Sequence, residues 1–162
     1  MKKLIALAMV ILAFGCGNGG DGDGGGSIAK PTNFQRRFIE CRAYTSGVCP
    51  YGRAIYELSW DDVAQADTYS ITSKYYSIIN GKKRDQGGGF GQYQISDTFW
   101  QESAEADCEG LWTHVAIDGN TVKAEWIEVY VCAHKASLVS GRAGPIILDA
   151  QDVLDYCSAN PP

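Results

Sequence analysis

The stretch YELSWDDVAQADTYSITS, residues 56–73, constrains this chain more than any other, because two alternating patterns flank a single turn. Tyr56, Leu58 and Trp60 fall on one face of a period-two strand, and Tyr69 and Ile71 repeat the pattern after the break. Asp61, Asp62, Ala66 and Asp67 supply the turn between them. Successive strand side chains point to opposite faces, so both runs are expected to bury their large residues in one shared core. The other apolar runs are short, are separated by Gly, Asp and Asn, and show no sustained helical period, which points to an all-β sandwich. A length of 162 residues with 19 Gly suits one such domain plus a Gly-rich segment that builds no core.

That domain is preceded by an export signal. Lys2 and Lys3 form a basic start, residues 4–14 are apolar, and the run is too short to span a bilayer. The junction Ala13-Phe14-Gly15-Cys16 resembles the lipobox of bacterial lipoproteins. The resemblance implies that residues 1–15 are removed, that Cys16 is acylated, and that the chain is held in a bacterial envelope membrane through it. Each buried methylene contributes about 0.8 kcal/mol, so several acyl chains on one residue hold firmly where one chain is marginal. Gly17 in place of Asp after the Cys implies, by resemblance to enteric lipoproteins, sorting to the outer membrane.

Residues 16–29 hold Cys16 and the run GNGGDGDGGGS, expected to be a flexible tether. Flexible-chain scaling gives its eleven residues a span of roughly 18 Å, enough to lift the domain off the lipid. Asp21 and Asp23 do not open an EF-hand, because Thr32 stands at the twelfth position where an acid is needed. Loss of Lys2 and Lys3 leaves 12 basic against 19 acidic side chains, about −7, which argues against nucleic acid as a partner.

Residues 30–150 form the expected domain. Pro31 precedes the first strand, Leu58-x-Trp60 and Ala66-Asp67-x-Tyr69-x-Ile71 follow, and Val131-x-Ala133 leads through a Gly-containing loop into an apolar strand. These motifs resemble strands A, B, C, F and G of fibronectin type III domains, which implies an immunoglobulin-like β-sandwich. Relative to that family, Ile127 stands where a Tyr is usual, and residues 101–110 (QESAEADCEG) read as an acidic insertion. Tyr93, Ile95 and residues 97–99 read as an edge strand, and Asn80-Gly81 as a type I′ hairpin turn that leaves Lys82, Lys83 and Arg84 solvated. The tail, residues 151–162, carries Val153, Leu154 and Tyr156 for one helical turn or a strap.

An exported chain can keep its cysteines oxidised. Cys41 and Cys49 lie eight apart around Ser46-Gly47 and are expected to close a loop worth roughly 2 to 3 kcal/mol. Cys132 points outward from its strand, and the alternatives for it are Cys157, brought by the tail, or Cys108.

No catalytic constellation emerges. His114 and His134 lie near no recognised nucleophile motif, and there is no Gly-x-Ser-x-Gly elbow. The loop Gly87-Gly88-Gly89-Phe90-Gly91 enters no helix, so it is not a phosphate cradle. Zinc at Cys108, His114, Cys132 and His134 lacks a Cys-x-x-Cys knuckle, and acid pairs such as Glu102 with Glu105 sit in no predicted cleft. The chain is therefore expected to be a non-enzymatic binding or adhesion module, with neither metal nor cofactor. Its candidate face joins Lys74, Tyr76 and Tyr130 on the outward side of strands C and F, for a protein or glycan partner in the envelope. Two competing expectations stand beside it. The tail covers that face, or Tyr93, Trp100 and Trp112 stack on sugar rings in a carbohydrate-binding accessory protein.

Overall fold

A computed structural model describes residues 28–85, 91–107, 112–115 and 121–162. They form two antiparallel sheets around one core. The first sheet runs β1 (Gln35–Thr45), β2 (Tyr51–Ser59), β6 (Phe99–Ala106), β7 (Trp112–Val115) and β8 (Thr121–Ala124), in that spatial order. In the second, β9 (Trp126–Lys135) lies between β3 (Thr68–Ile79) on one side and β10 (Leu138–Val139) and β11 (Ala143–Asp149) on the other. β4 (Lys82–Asp85) and β5 (Gly91–Ile95) pair with the far side of β3.

The alternation in residues 56–73 sets the core. Tyr56, Leu58 and Trp60 from β2 and its extension meet Tyr69 and Ile71 from β3, and Ile127, Val129, Val131 and Ala133 line the facing side of β9. Full burial of each large aliphatic side chain contributes about 1.5 to 3 kcal/mol. Between β2 and β3 the turn is pinned at both ends. Asp61 N–H donates to the Thr32 carbonyl at 2.9 Å, and the Tyr69 hydroxyl accepts from Val63 N–H at 2.8 Å while donating to Asp62 at 2.7 Å. A tyrosine thus ties a loop back to the sheet, although it sits on β3 rather than near Ile127.

Three sequence expectations change. Residues 101–106 are not an insertion, because Phe99–Ala106 is β6, paired with β2 from Ser59 opposite Phe99 to Gly52 opposite Ala106. Its fully buried positions are Ala104 and Ala106, too small to give a strong apolar alternation. Nor is 93–99 one strand: β5 belongs to the second sheet and β6 to the first, and the chain crosses over between them. The tail, finally, packs on β1, β2 and β6 rather than on the outward side of β3 and β9.

That tail is helix α1 (Ala150–Ala159), capped by Asp149, whose carboxylate accepts from Gln151 N–H at 2.9 Å. Ala150, Val153, Leu154 and Cys157 recur at helical spacing and are buried against β1, β2 and β6. Val153 and Leu154 lie over Gly52, where an added Cβ would come 3.3 Å from Leu154 Cδ2. Tyr156 stacks on Phe38 at 4.9 Å between centroids, and Arg36 bonds Asp152 at 2.7 Å.

The helix also decides the cysteine pairing. Cys157 bonds Cys41, with their Cα atoms 5.2 Å apart, so neither Cys41–Cys49 nor Cys132–Cys157 forms. Cys41 faces the core from β1, opposite Ala54, whereas Cys49 lies in the connection to β2. Cys132 faces away from the core on β9, whereas α1 packs mainly on β1, β2 and β6. Cys49 and Cys132 are themselves disulfide-bonded. Cys108, like Cys16, the tether and the turn at 118–120, lies outside the described residues.

Candidate binding face

The outward side of β3 and β9 carries the expected residues in register. Thr72 stands opposite Tyr130, Lys74 opposite Glu128, and Tyr76 opposite Trp126. Pairs directly across an antiparallel ladder point to one side, so Lys74, Tyr76 and Tyr130 do share a face. Glu128, two residues before Tyr130 and opposite Lys74, is the centre of the group.

Glu128 is buried at 7% exposure although it points away from the core. Tyr130 donates its hydroxyl proton to Glu128 Oε2 at 3.0 Å, Lys83 forms an ion pair with Oε1, and Trp126 Nε1 donates to the same oxygen at 3.4 Å. Burial pushes the Glu128 pKa up, but these donors outweigh it and hold the carboxyl below its ordinary value, so it is ionised. The Tyr130 hydroxyl is pushed up to about 12 by burial and then by Glu128, and so keeps the proton it donates.

Aromatic rings surround the ion pair. Tyr76 stacks on Trp126 at 5.9 Å, the Lys83 ammonium sits 3.9 Å from the Tyr76 centroid and 5.9 Å from that of Trp126, and the Arg142 guanidinium lies 5.5 Å from Tyr130. Lys74 stands at the edge, 3.9 Å from Asp85. The sequence alone leaves Lys83 in solvent and does not place Trp126 on this face. A signal for Lys83 does exist in Asn80-Gly81, whose positive φ values of 53° and 70° close a two-residue turn. That turn sets Lys83 opposite Ile78, on the same side as Tyr76.

Other candidates are weaker. Ser70 Oγ lies 2.6 Å from His134 Nε2, a pairing across β3 and β9 that the sequence does not suggest. Ser70 is completely buried, so its hydroxyl cannot reach a substrate. Cys132 is in a disulfide and has no thiolate to offer zinc, and among the described residues no group of three His, Cys, Asp or Glu could hold a metal. Glu102 and Glu105 point to opposite sides of β6, as residues three apart on a strand must. Trp100, proposed for sugar stacking, has its Nε1 buried without a hydrogen-bond partner among the described residues. The side chains of Tyr93, Trp112 and His114 lie outside the described residues. On the first sheet, Glu57 is held by Arg37 at 2.7 Å and Gln101 at 3.0 Å.

Burial of His134 lowers its pKa below the ordinary 6.5, which ties stability to pH. Below 6.5 the unfolded chain binds a proton that the folded chain resists, so stability is complete above that pH and declines as pH falls below it. Urea melts at about pH 7.5 and about pH 5.5 are expected to show the decline, and His134→Gln is expected to reduce it. An equal decline in that variant would assign the effect to other groups.

In comparisons with known proteins, no family model matches the chain, and neither a curated protein nor a solved structure matches it.

Proposed function

We propose that this protein is a lipid-anchored lipoprotein of the bacterial envelope, sorted to the outer membrane, whose domain is a non-enzymatic binding or adhesion module. The observation that carries the binding reading is the constellation around Glu128, a buried carboxylate with aromatic and cationic neighbours on the outward side of a sheet. A fold alone has no need of a charge there, and desolvating a carboxylate costs free energy unless its partners compensate. Tyr and Trp bury large area with few rotatable bonds and commonly anchor interfaces.

The strand order supports the fibronectin type III-like part of the reading. β1, β2 and β6 stand as A, B and E do in that family, and β3, β9 and β11 as C, F and G, with β7 and β8 added at the edge. The export signal and Cys16 motivate the anchor.

Two measurements test the two halves. Intact mass and peptide mapping of mature protein from a Gram-negative host are expected to show Cys16 as the first residue, carrying a thioether-linked diacylglyceryl group and an amide-linked acyl chain. One thiol cannot hold both a lipid and a disulfide, so Cys16 recovered in a disulfide-linked peptide would end the lipoprotein reading. For the face, immobilised domain is offered to envelope extract and to a glycan array. Tyr76→Ala with Tyr130→Ala is expected to lose at least tenfold of the captured partner or glycan; undiminished capture would move the site elsewhere. Glycan retention by that face would replace the adhesion reading with the carbohydrate one.

A further inference from the structure

We propose that Glu128, Tyr76, Trp126 and Tyr130 form a receptor for the side-chain ammonium of a lysine on a protein partner, and that Lys83 is its resident occupant. This rests on the binding reading above and specifies its ligand.

The receptor and its occupant are built with different firmness. Glu128, Tyr130 and Trp126 belong to β9, which is paired on both sides by β3 and β11. Lys83 belongs to β4, four residues that are all exposed and that, among the described residues, pair with the end of β3. The pairing of β3 with β9 ends at Tyr76 and Trp126, and beyond it Ser77, Ile78 and Ile79 pair with β4 as an arm that is two-stranded among the described residues. Two-stranded hairpins are marginal in water, and weakly held elements open at low free energy. The Lys83 side chain is itself 48% exposed, against 10% for Glu128. Opening the arm withdraws the ammonium and leaves a carboxylate among aromatic faces.

The chemistry of that site selects its guest. Ring faces attract a cation through their quadrupole, an ionised carboxylate supplies the counter-charge, and the Tyr130 hydroxyl fixes its position. Lys83 shows that an ammonium on a four-carbon stem fits. A headgroup such as phosphoethanolamine has a two-carbon stem and brings a phosphate toward Glu128, so the site disfavours it.

The test uses the mature chain with Lys83→Ala, its fold checked by circular dichroism, and follows the Trp126 indole N–H by NMR. Nα-acetyl-lysine methylamide is expected to give saturable shifts at millimolar concentrations, at least tenfold tighter than in wild type. Adding Glu128→Gln to Lys83→Ala is expected to weaken binding tenfold or more, and n-butanol and phosphoethanolamine are expected to give no saturable shift. Absence of lysine binding by Lys83→Ala, or equal binding by wild type, would overturn the proposal. Partner capture that still depends on Tyr76 and Tyr130 would then leave the binding reading standing.

Discussion

Replacing Cys41 and Cys157 together by alanine is expected to remove about 5 kcal/mol of stability. The bond spans 116 residues, and the chain-entropy argument gives roughly 4.7 kcal/mol for a loop of about 100. Small domains are stable by only about 5 to 15 kcal/mol, so the loss takes a large share of the total. The structure also locates the effect. Cys157 is on the buried side of α1, and the bond holds that helix on β1 while Val153 and Leu154 pack over Gly52. With the bond gone, those apolar contacts still dock the helix, but less firmly. Urea unfolding is expected to shift its midpoint down by about 2 M or more, given slopes of about 1 to 3 kcal/mol per molar. Hydrogen exchange is expected to accelerate first in α1 and last in β9. A loss below about 1 kcal/mol, or α1 as protected as β9, would mean that the helix docks without help from the bond.

That disulfide marks where the sequence ceases to be legible. Strands β2, β3 and β9 can be read because large residues alternate along them: Tyr56, Leu58, Trp60, then Tyr69 and Ile71, then Ile127, Val129 and Val131. β6 cannot, because its inward residues include Glu102, Ala104 and Ala106, which no hydrophobic pattern distinguishes from an acidic loop. The pairing of Cys157 depends on where α1 docks, a tertiary fact that chain spacing does not encode. Spacing favours Cys49 for Cys41, but one faces the core and the other lies in a connection.

The candidate face divides in the same way. Its location follows from alternation, which puts Lys74 and Tyr76 beside Tyr130. Its chemistry does not, since Glu128 acquires its role only when Lys83 returns across a hairpin and Trp126 stacks on Tyr76. Periodicity assigns a side chain to a face, whereas the ion pair depends on how a flexible lysine stem lies upon it.

Trp60 provides the other large expected effect, and the contrast between two substitutions separates its packing from its polarity. It is the last inward residue of the run Tyr56, Leu58, Trp60, and it packs edge-on against Phe34 at 6.2 Å and tilted against Tyr69 at 5.3 Å. Trp60→Ala removes the ring that joins the start of the domain to β3, and is expected to cost about 3 to 5 kcal/mol, the usual range for emptying a large aromatic site. Trp60→Phe should behave very differently. The Trp60 Nε1–H is buried and has no hydrogen-bond partner among the described residues, so the wild-type residue already bears the cost of desolvating that group, about 1 to 3 kcal/mol. Phenylalanine removes the burden while leaving a smaller cavity, and the two changes oppose each other. Its net effect is therefore expected within about 1.5 kcal/mol of zero, the range of shape-conserving core changes. Chemical denaturation of both variants measures the difference, with a gap of at least about 1.5 kcal/mol between them expected from these two ranges. Equal losses would show that the indole N–H stabilises the fold, and with it that the polar group at this end of the core is satisfied in solution.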